Sequence, residues 1–387
     1  MFTNMIDRFV SSNSRPSKER VTFPIVKSLS LYDEIPWDEY LAEDRQFSFV
    51  DGTSVMAGYL LQQSASGNFH TVARLASMIG MIVPVEKKNP WVLQWYISVG
   101  DANDLSGANV PIIRLMVYRR YCQSKAKTDP VEELNELCNE LDDAFVKLKL
   151  DATRMDGKSF YQWMATWLNP SISNTHLMNT WPYQAGSPDA DEVLYELDLA
   201  DVILQSEHVV DDNSGVWYFN KSPTVYVPVE SITYISSEKI AVLWENMPVN
   251  TTCVLTILFS NNRAKKILDK ESSKDIGDIP ELHGITLEKL YQFHLGFYTS
   301  DINRASLEKA VNRLIPLLLC YGIKSYNPFV QDDKYRIGNV IRHLPGVFKY
   351  TAARFSAREA RYLHGSDLMS LLPLVKNQSP IVLEKTQ

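Results

Sequence analysis

Hydrophobic and polar positions alternate in three stretches of the first half of the chain, and each predicts a β-strand or a strand pair. The run Gln46–Leu61 alternates on both sides of Asp51-Gly52. Because Asp-Gly tolerates the positive φ angles of a type I′ turn, this run predicts a β-hairpin. Trp91–Val99 and Pro111–Arg119 each follow turn-forming residues, and they predict two further strands.

Apolar residues recur with helical spacing in three other stretches of the first half. The spacing predicts a short helix over about His70–Ile79. A second helix begins after Asp129-Pro130, because Asp is a strong N-cap and Pro is favoured at the first helical position. A third covers Lys158–Leu168 and ends at Asn169-Pro170. A short strand is predicted between the last two helices.

The second half predicts mainly strands, followed by a strand–helix–strand unit. Its predicted strands are Val216–Phe219, Thr224–Val229, Ile240–Trp244 and Thr251–Phe259, with a polar helix at Asn262–Lys270. The βαβ-like unit has strands at Leu290–Tyr298 and Ile323–Tyr326, with a helix at Ala305–Tyr321 between them. Pro316 lies inside that helix, so we expect a kink or an early end there.

These elements predict an α+β fold with mostly antiparallel sheets and packed helices in two subdomains, because hairpins and clustered strands outweigh regular βαβ alternation. The predicted boundaries are a flexible arm at 1–20, an α+β subdomain at 21–170 and a second α+β subdomain at 191–374. A linker rich in Asn, Ser and Pro joins the two at 171–190, and a polar tail occupies 375–387.

Composition narrows the range of functions without selecting one. The chain has 387 residues with 45% hydrophobic and 22% charged residues, which is ordinary for a globular protein. Its net charge is −7, so it lacks the overall basic excess of a typical nucleic-acid binder. No hydrophobic run approaches the roughly 20 residues that a transmembrane helix needs. The four cysteines form no CxxC pair and suggest a reducing, cytoplasmic compartment.

Motifs for catalysis, cofactors and metals are not convincing anywhere in the chain. The segment Asp156-Gly157-Lys158-Ser159 ends like a phosphate-binding loop, but Ala152 stands where the first glycine of that loop belongs. We therefore expect a turn and a helix start there. None of the seven histidines has a partner at metal-ligand spacing, and the paired acids are expected to be solvated. The aromatic residues Tyr161, Trp163, Trp167 and Trp181 are expected to lie mostly in the core.

One basic patch near the C-terminus is the candidate binding surface. Arg354, Arg358 and Arg361 follow the spacing of one helix face, and Thr351 can cap that helix. These arginines would contact an acidic partner, lipid headgroups or nucleic-acid phosphates. The alternative is that they form an ordinary solvated face.

Several segments, in this order, resemble the N-terminal region of the large conjugative-transfer ATPases of type IV secretion systems, the TraC/TraU-like, VirB-type family. The resemblance spans most of residues 45–375. The segments are Phe49–Val55, Asn89–Tyr96, Leu115–Arg120, Gln162–Pro170, Gly215–Phe219 and Leu371–Leu374.

The resemblance implies that the chain docks an ATPase onto the inner-membrane secretion complex and its subunits, and supports oligomerisation, commonly as a hexamer. In that family a RecA-like motor follows downstream, and ATP is expected only there. Both Walker motifs are absent from this chain, so we expect no enzyme activity and no cofactor from it. The expected location is the cytoplasmic side of the bacterial inner membrane. Two alternatives remain open: a nucleic-acid-handling domain that uses the basic patch, and an enzyme whose site is not visible in the sequence.

Overall fold

The computed structural model describes fourteen segments of the chain, which carry thirteen strands and six helices. The segments are 39–43, 46–50, 54–63, 69–86, 89–99, 111–120, 129–169, 208–211, 216–219, 222–233, 237–260, 290–329, 343–347 and 361–374. The predicted arm at 1–20, the linker at 171–190, the helix at Asn262–Lys270 and the tail at 375–387 lie outside them, so the division into two subdomains stays a prediction.

The strands are short to medium in length. They are β1 (Glu39–Glu43), β2 (Gln46–Val50), β3 (Ser54–Leu61), β4 (Val92–Val99), β5 (Ile112–Arg120), β6 (Ala152–Arg154), β7 (His208–Asp211), β8 (Val216–Phe219), β9 (Ser222–Ile232), β10 (Thr251–Leu258), β11 (Leu290–Ser300), β12 (Ile323–Ser325) and β13 (Arg361–His364). The helices are α1 (Phe69–Ile82), α2 (Pro130–Lys147), α3 (Gly157–Leu168), α4 (Ser237–Glu245), α5 (Arg304–Cys320) and α6 (Gly365–Ser370).

All thirteen described strands belong to one sheet, and every pairing between them is antiparallel. The main order is β1-β2-β3-β5-β4-β10-β11-β9-β8-β7, while β6 pairs with β3, β12 with β9 and β13 with β11. Strands from the two halves of the sequence meet where β4 pairs with β10, from Val99 opposite Thr251 to Val92 opposite Leu258. The predicted α+β class with antiparallel strands is therefore confirmed.

The predicted hairpin is present as β2 and β3, but its register differs from a two-residue turn. Val50 pairs with Val55 and Phe49 pairs with Met56. A two-residue turn at Asp51-Gly52 would pair Val50 with Thr53 instead. Four residues therefore separate the last paired positions, and the type I′ turn was the wrong prediction for this connection.

One edge of β11 is shared by two strands. Residues Gly296–Ser300 pair with β9, whereas Leu290–Phe293 pair with β13. The β9 pairing stops at Pro228, which has no backbone N–H to donate, and β9 continues against β12. The C-terminal strand therefore fills the part of this edge that β9 leaves.

The two faces of the sheet are covered differently. One face is apolar, and its buried cluster contains residues of α1, α2, α4, α5 and α6. On the opposite face lie α3 and the segment 343–347, whose buried residues include Phe160, Tyr161, Met164 and Leu344. We call these the apolar face and the polar face of the sheet.

One prediction about local structure was wrong, and one of the two alternatives at Pro316 is excluded. The run Ile240–Trp244 forms part of helix α4, not a strand. Ile240, Leu243, Trp244 and Met247 are buried while Val242 is exposed, which is helical spacing that the short apolar run concealed. Helix α5 runs through Pro316 to Cys320, which excludes an early end, while the kink stays a prediction.

Candidate functional site

Arg361 is the one residue of the predicted arginine face that lies among the described residues, and it is in a strand. Arg354 and Arg358 lie outside the described residues. Arg361 begins strand β13, where it is opposite Phe293 of β11. A strand places successive side chains on opposite faces, so the helical spacing that joined the three arginines does not apply at Arg361. Their role in contacting an anionic partner stays a prediction.

The segment that resembled a phosphate loop is a helix start, as expected. Asp156 is the N-cap of α3, and its carboxylate accepts a hydrogen bond of 2.8 Å from the backbone N–H of Ser159. An acidic cap occupies the helix N-terminus, which is where a phosphate would otherwise bind.

Within the described segments, no group of three or more His, Cys, Asp or Glu side chains is arranged to hold a metal ion. His294 and His343 do come together, with ring centroids 6.3 Å apart, although 49 positions separate them in the sequence. Both are buried among hydrogen-bonding and aromatic side chains of the polar face. No helix in the described part of the chain is long and apolar enough to cross a membrane.

The polar face contains a buried row of polar side chains that runs across three strands. Gln94, Thr256 and His294 are direct neighbours on β4, β10 and β11. The side-chain amide of Gln94 donates to Thr256 Oγ1 at 3.2 Å and to the backbone carbonyl of His343 at 3.1 Å. The hydroxyl of Tyr96 donates to the same carbonyl. Two donors from β4 thus anchor the segment 343–347 to the sheet.

Aromatic rings surround this row and hold helix α3 and the segment 343–347 against the sheet. Tyr226 stacks on His343 with centroids 4.3 Å apart, while Trp163 and Trp167 of α3 contact Tyr96 and Tyr298 edge-on. Burial raises the pKa of Tyr96 and of Tyr298 well above that of an exposed tyrosine. These hydroxyls therefore stay protonated at neutral pH and act in packing and hydrogen bonding. The expectation that Tyr161, Trp163 and Trp167 lie mostly in the core fits this packing, and Trp181 lies outside the described residues.

The apolar face is closed by the C-terminal segment of the described chain. Trp244 of α4 donates its indole N–H to the carbonyl of Leu371 at 3.1 Å, and Gln63 donates to the carbonyl of Pro373 at 2.8 Å. Leu368, Leu372 and Leu374 are buried in the same cluster. Residues 361–374 are consequently part of the core, with β13 paired to the sheet and α6 packed against α1.

Arg119 at the end of β5 ties the helical layer to the sheet. It forms ion pairs with Glu86 at 2.8 Å and with Glu133 of α2 at 3.0 Å. Its guanidinium also lies over the ring of Trp91, 5.4 Å from the centroid. These contacts hold the start of α2 beside the end of β5. The other acidic residues of α2 do not take part in them.

Two helices of the same layer expose opposite charges. The outer side of α2 carries Glu132, Glu136, Glu140 and Asp143, whereas that of α5 carries Lys309 and Arg313. On these helices the described ion pairs involve other residues: Glu133 with Arg119, Asp142 with Arg154, and Arg304 with Glu308. Large apolar side chains are exposed near both helices, with Val146 at 75% and Ile302 at 79%. We call these two surfaces the acidic face of α2 and the basic face of α5.

Comparison with known families supports the type IV secretion resemblance. Residues 96–273 match the model of the family described as TraC protein. The central part of the chain is TraC-like. The predicted resemblance to the TraC-like group of conjugative-transfer proteins is therefore confirmed for this segment, which covers less than half of the chain. No curated protein matches the chain.

The match runs from the end of β4 through β5 and on past β10, so it covers strands from both halves of the sheet. Sequence reasoning identified most of these elements but missed the polar row, because its members are distant in the sequence. A signal was present: Gln94 and His294 are polar positions inside otherwise buried strands. It also missed the two charged helix faces, since solvated charges are common on helices.

Proposed function

We propose that this chain is the docking and assembly domain of a conjugation, type IV secretion ATPase. The observation that carries the proposal is the TraC-like segment at 96–273, which agrees with the order of resembling segments along the chain. In this role the domain places a motor on the inner-membrane secretion complex and supports association between copies.

The described surface supports an assembly role better than a catalytic one. The polar side chains of the buried row make contacts within the protein, so they are not available to a substrate. Helices α2 and α5, in contrast, expose charged side chains to solvent. Charged surfaces of this kind guide association and select partners more than they supply affinity. The proposed partners are subunits of the inner-membrane complex and further copies of the chain. The proposed location is the cytoplasmic side of that membrane.

Cell fractionation tests the docking role directly. We expect the chain, produced in cells that carry the matching transfer apparatus, to sediment with the membrane fraction and to be released by high salt. In cells without the apparatus it should stay in the supernatant. Equal membrane association in both strains would contradict docking onto the secretion complex and indicate direct lipid binding.

We also propose that the chain alone does not hydrolyse ATP, since neither Walker motif is present in its sequence. The purified chain should release no phosphate from ATP above a buffer control. Sustained hydrolysis that survives removal of contaminating ATPases would show that the chain has a catalytic site of its own.

A further inference from the structure

Two exposed apolar residues lie at one end of the β10–β11 ladder. At that end the backbone N–H of Ser300 donates to the carbonyl of Asn250 at 3.2 Å. Val249 comes one residue before Asn250, and Ile302 comes two residues after Ser300. Val249 is 53% exposed and Ile302 is 79% exposed, which makes Ile302 the most exposed large apolar residue in the described part of the chain. The two residues therefore place apolar surface at the same end of the sheet.

Helix α5 extends this surface with two basic residues. Ile302 directly precedes Asn303, the N-cap of the helix. The buried residues of the helix are Leu307, Val311, Leu314 and Leu318. At 3.6 residues per turn, the exposed Lys309 and Arg313 lie on the side of the helix that is turned away from these buried residues. They are four residues apart, which is roughly 6 Å along the helix axis.

The acidic residues near these two basic residues are already engaged. Asp301 accepts a hydrogen bond of 2.7 Å from the backbone N–H of Ile302, and Glu308 forms an ion pair of 3.0 Å with Arg304. Neither basic residue of the exposed side forms an ion pair with any described residue. Residues 301–313 contain three basic and two acidic residues, so this surface is positive although the whole chain has a net charge of −7.

The combination of apolar and basic residues defines the chemistry of a complementary partner. Burial of Val249 and Ile302 against an apolar side chain would supply affinity. Opposite charges placed against Lys309 and Arg313 would select and orient the partner. Two acidic residues four positions apart on a helix have the same spacing of roughly 6 Å. Nucleic acid fits less well, because its affinity comes from many neutralised phosphates and this surface offers two unpaired basic residues.

We propose that Val249, Ile302, Lys309 and Arg313 form a docking surface for an acidic segment with an exposed apolar side chain, which belongs to a subunit of the inner-membrane secretion complex. The inference rests on the docking role in the proposed function and names the surface that performs it. The occupant is acidic because the surface is positive and its own acidic neighbours are engaged within the chain.

Binding to membrane vesicles tests the proposal. The purified chain is sedimented with inverted inner-membrane vesicles from cells that carry the matching transfer apparatus, and with vesicles from cells that lack it. Lys309→Glu/Arg313→Glu reverses the charge of the surface, and Val249→Ser/Ile302→Ser removes its apolar part. We expect each double variant to bind the apparatus vesicles at least about tenfold more weakly than the wild-type chain. Wild-type binding should also weaken at high salt, because exposed charges are screened.

Two matched control variants make the same chemical changes elsewhere on the protein. Arg74→Glu/Lys147→Glu reverses two exposed basic residues of α1 and α2. Met81→Ser/Val146→Ser removes two exposed apolar residues of the same helices. Both controls should bind the apparatus vesicles like the wild-type chain. All substituted positions are exposed, so thermal unfolding should confirm that the four variants fold like the wild type.

The outcomes separate this inference from the proposed function. If the wild-type chain sediments equally with both kinds of vesicle, docking onto the secretion complex fails, and the docking surface fails with it. If the wild-type chain prefers the apparatus vesicles but both surface variants bind them equally well, only the docking surface is overturned. If analytical ultracentrifugation shows that the surface variants lose self-association together with vesicle binding, the occupant is a second copy and the acidic partner is overturned.

Discussion

The apolar face and the polar face of the sheet are buried to a similar degree but are held together by different forces. On the apolar face, Leu93, Trp95 and Ile97 of β4 alternate toward a continuous hydrophobic cluster under five helices. On the polar face, Gln94 and Tyr96 of the same strand donate hydrogen bonds to one backbone carbonyl beneath α3 and the segment 343–347. Alternate residues of β4 therefore pack into a hydrophobic interior on one side of the sheet and a hydrogen-bonded interior on the other.

This difference predicts which face of the sheet tolerates amino-acid substitutions and which face does not. Hydrophobic burial is non-directional and scales with area, so the apolar face should accept substitutions that keep volume. Hydrogen bonds and stacked rings need defined geometry, and a buried polar group that loses its partner costs free energy. The polar face should therefore respond to small changes of shape or chemistry that the apolar face would tolerate.

The largest effect is expected for truncation on the apolar face. Trp95→Ala removes a fully buried ring and leaves a cavity, so it should lower the free energy of unfolding by about 3–5 kcal/mol. Chemical denaturation followed by circular dichroism measures this loss. Trp95→Phe, which keeps most of the volume, should cost clearly less. Equal losses for the two variants would show that cavity volume does not govern this face.

A smaller but more specific effect is expected at Gly296 on the polar face. A Cβ there would overlap the Tyr226 ring, lying 2.8 Å from Cε1 and closer still to Cζ and Oη. The ring cannot retreat easily, because it stacks on His343. Gly296→Ala should therefore destabilise the protein by roughly 2–3 kcal/mol.

Gly58→Ala is the matched control for that substitution. Its Cβ would meet only flexible atoms of Met116 and Met155, at 3.1–3.3 Å. The loss should be well below that of Gly296→Ala, as judged by the denaturation midpoints. If Gly296→Ala is as mild as Gly58→Ala, the Tyr226–His343 stack is not a rigid part of the polar face.

The shared carbonyl of His343 should produce a non-additive effect. Gln94→Leu and Tyr96→Phe each remove one donor, and each should cost about 1 kcal/mol. Gln94→Leu also removes Oε1, which has no hydrogen-bond partner among the described residues. The double variant leaves the carbonyl without either donor, so its loss should exceed the sum of the single losses. A strictly additive double-mutant cycle would mean that the two donors act independently.

The smallest contrast is expected at the helix caps, one on each face. Asp129 caps α2 by accepting from Val131 N–H at 2.9 Å, and Asp156 caps α3 by accepting from Ser159 N–H at 2.8 Å. Asp129→Ala and Asp156→Ala should each cost about 1 kcal/mol, because capping is local. Thermal unfolding should place the two variants within about 0.5 kcal/mol of each other on the same principle. A much larger loss for Asp156→Ala would show that α3 depends on its cap more than on its buried rings.

Local sequence signals predicted most of the helices and strands that begin at clear capping or turn residues or that contain a long periodic pattern. The start of α2 follows from Asp129-Pro130, and β4, β5, β10 and β11 follow from long apolar runs. Short apolar runs failed, as at Ile240–Trp244, because five residues cannot separate helical from strand spacing. Arg361 was predicted to lie on a helix, but it pairs with Phe293 of β11 as part of strand β13. Arg354 and Arg358 lie outside the described residues, so a contact of these arginines with an anionic partner stays a prediction.

The sequence by itself determined the α+β class, the caps of α2 and α3, the lack of Walker motifs and the TraC-like character of residues 96–273, because each depends on neighbouring residues or on a continuous segment. Only the tertiary structure decided that Gln94, Thr256 and His294 form one row. The row depends on strand order and register, which bring residues that are distant in the sequence together through backbone hydrogen bonds that any sequence can form.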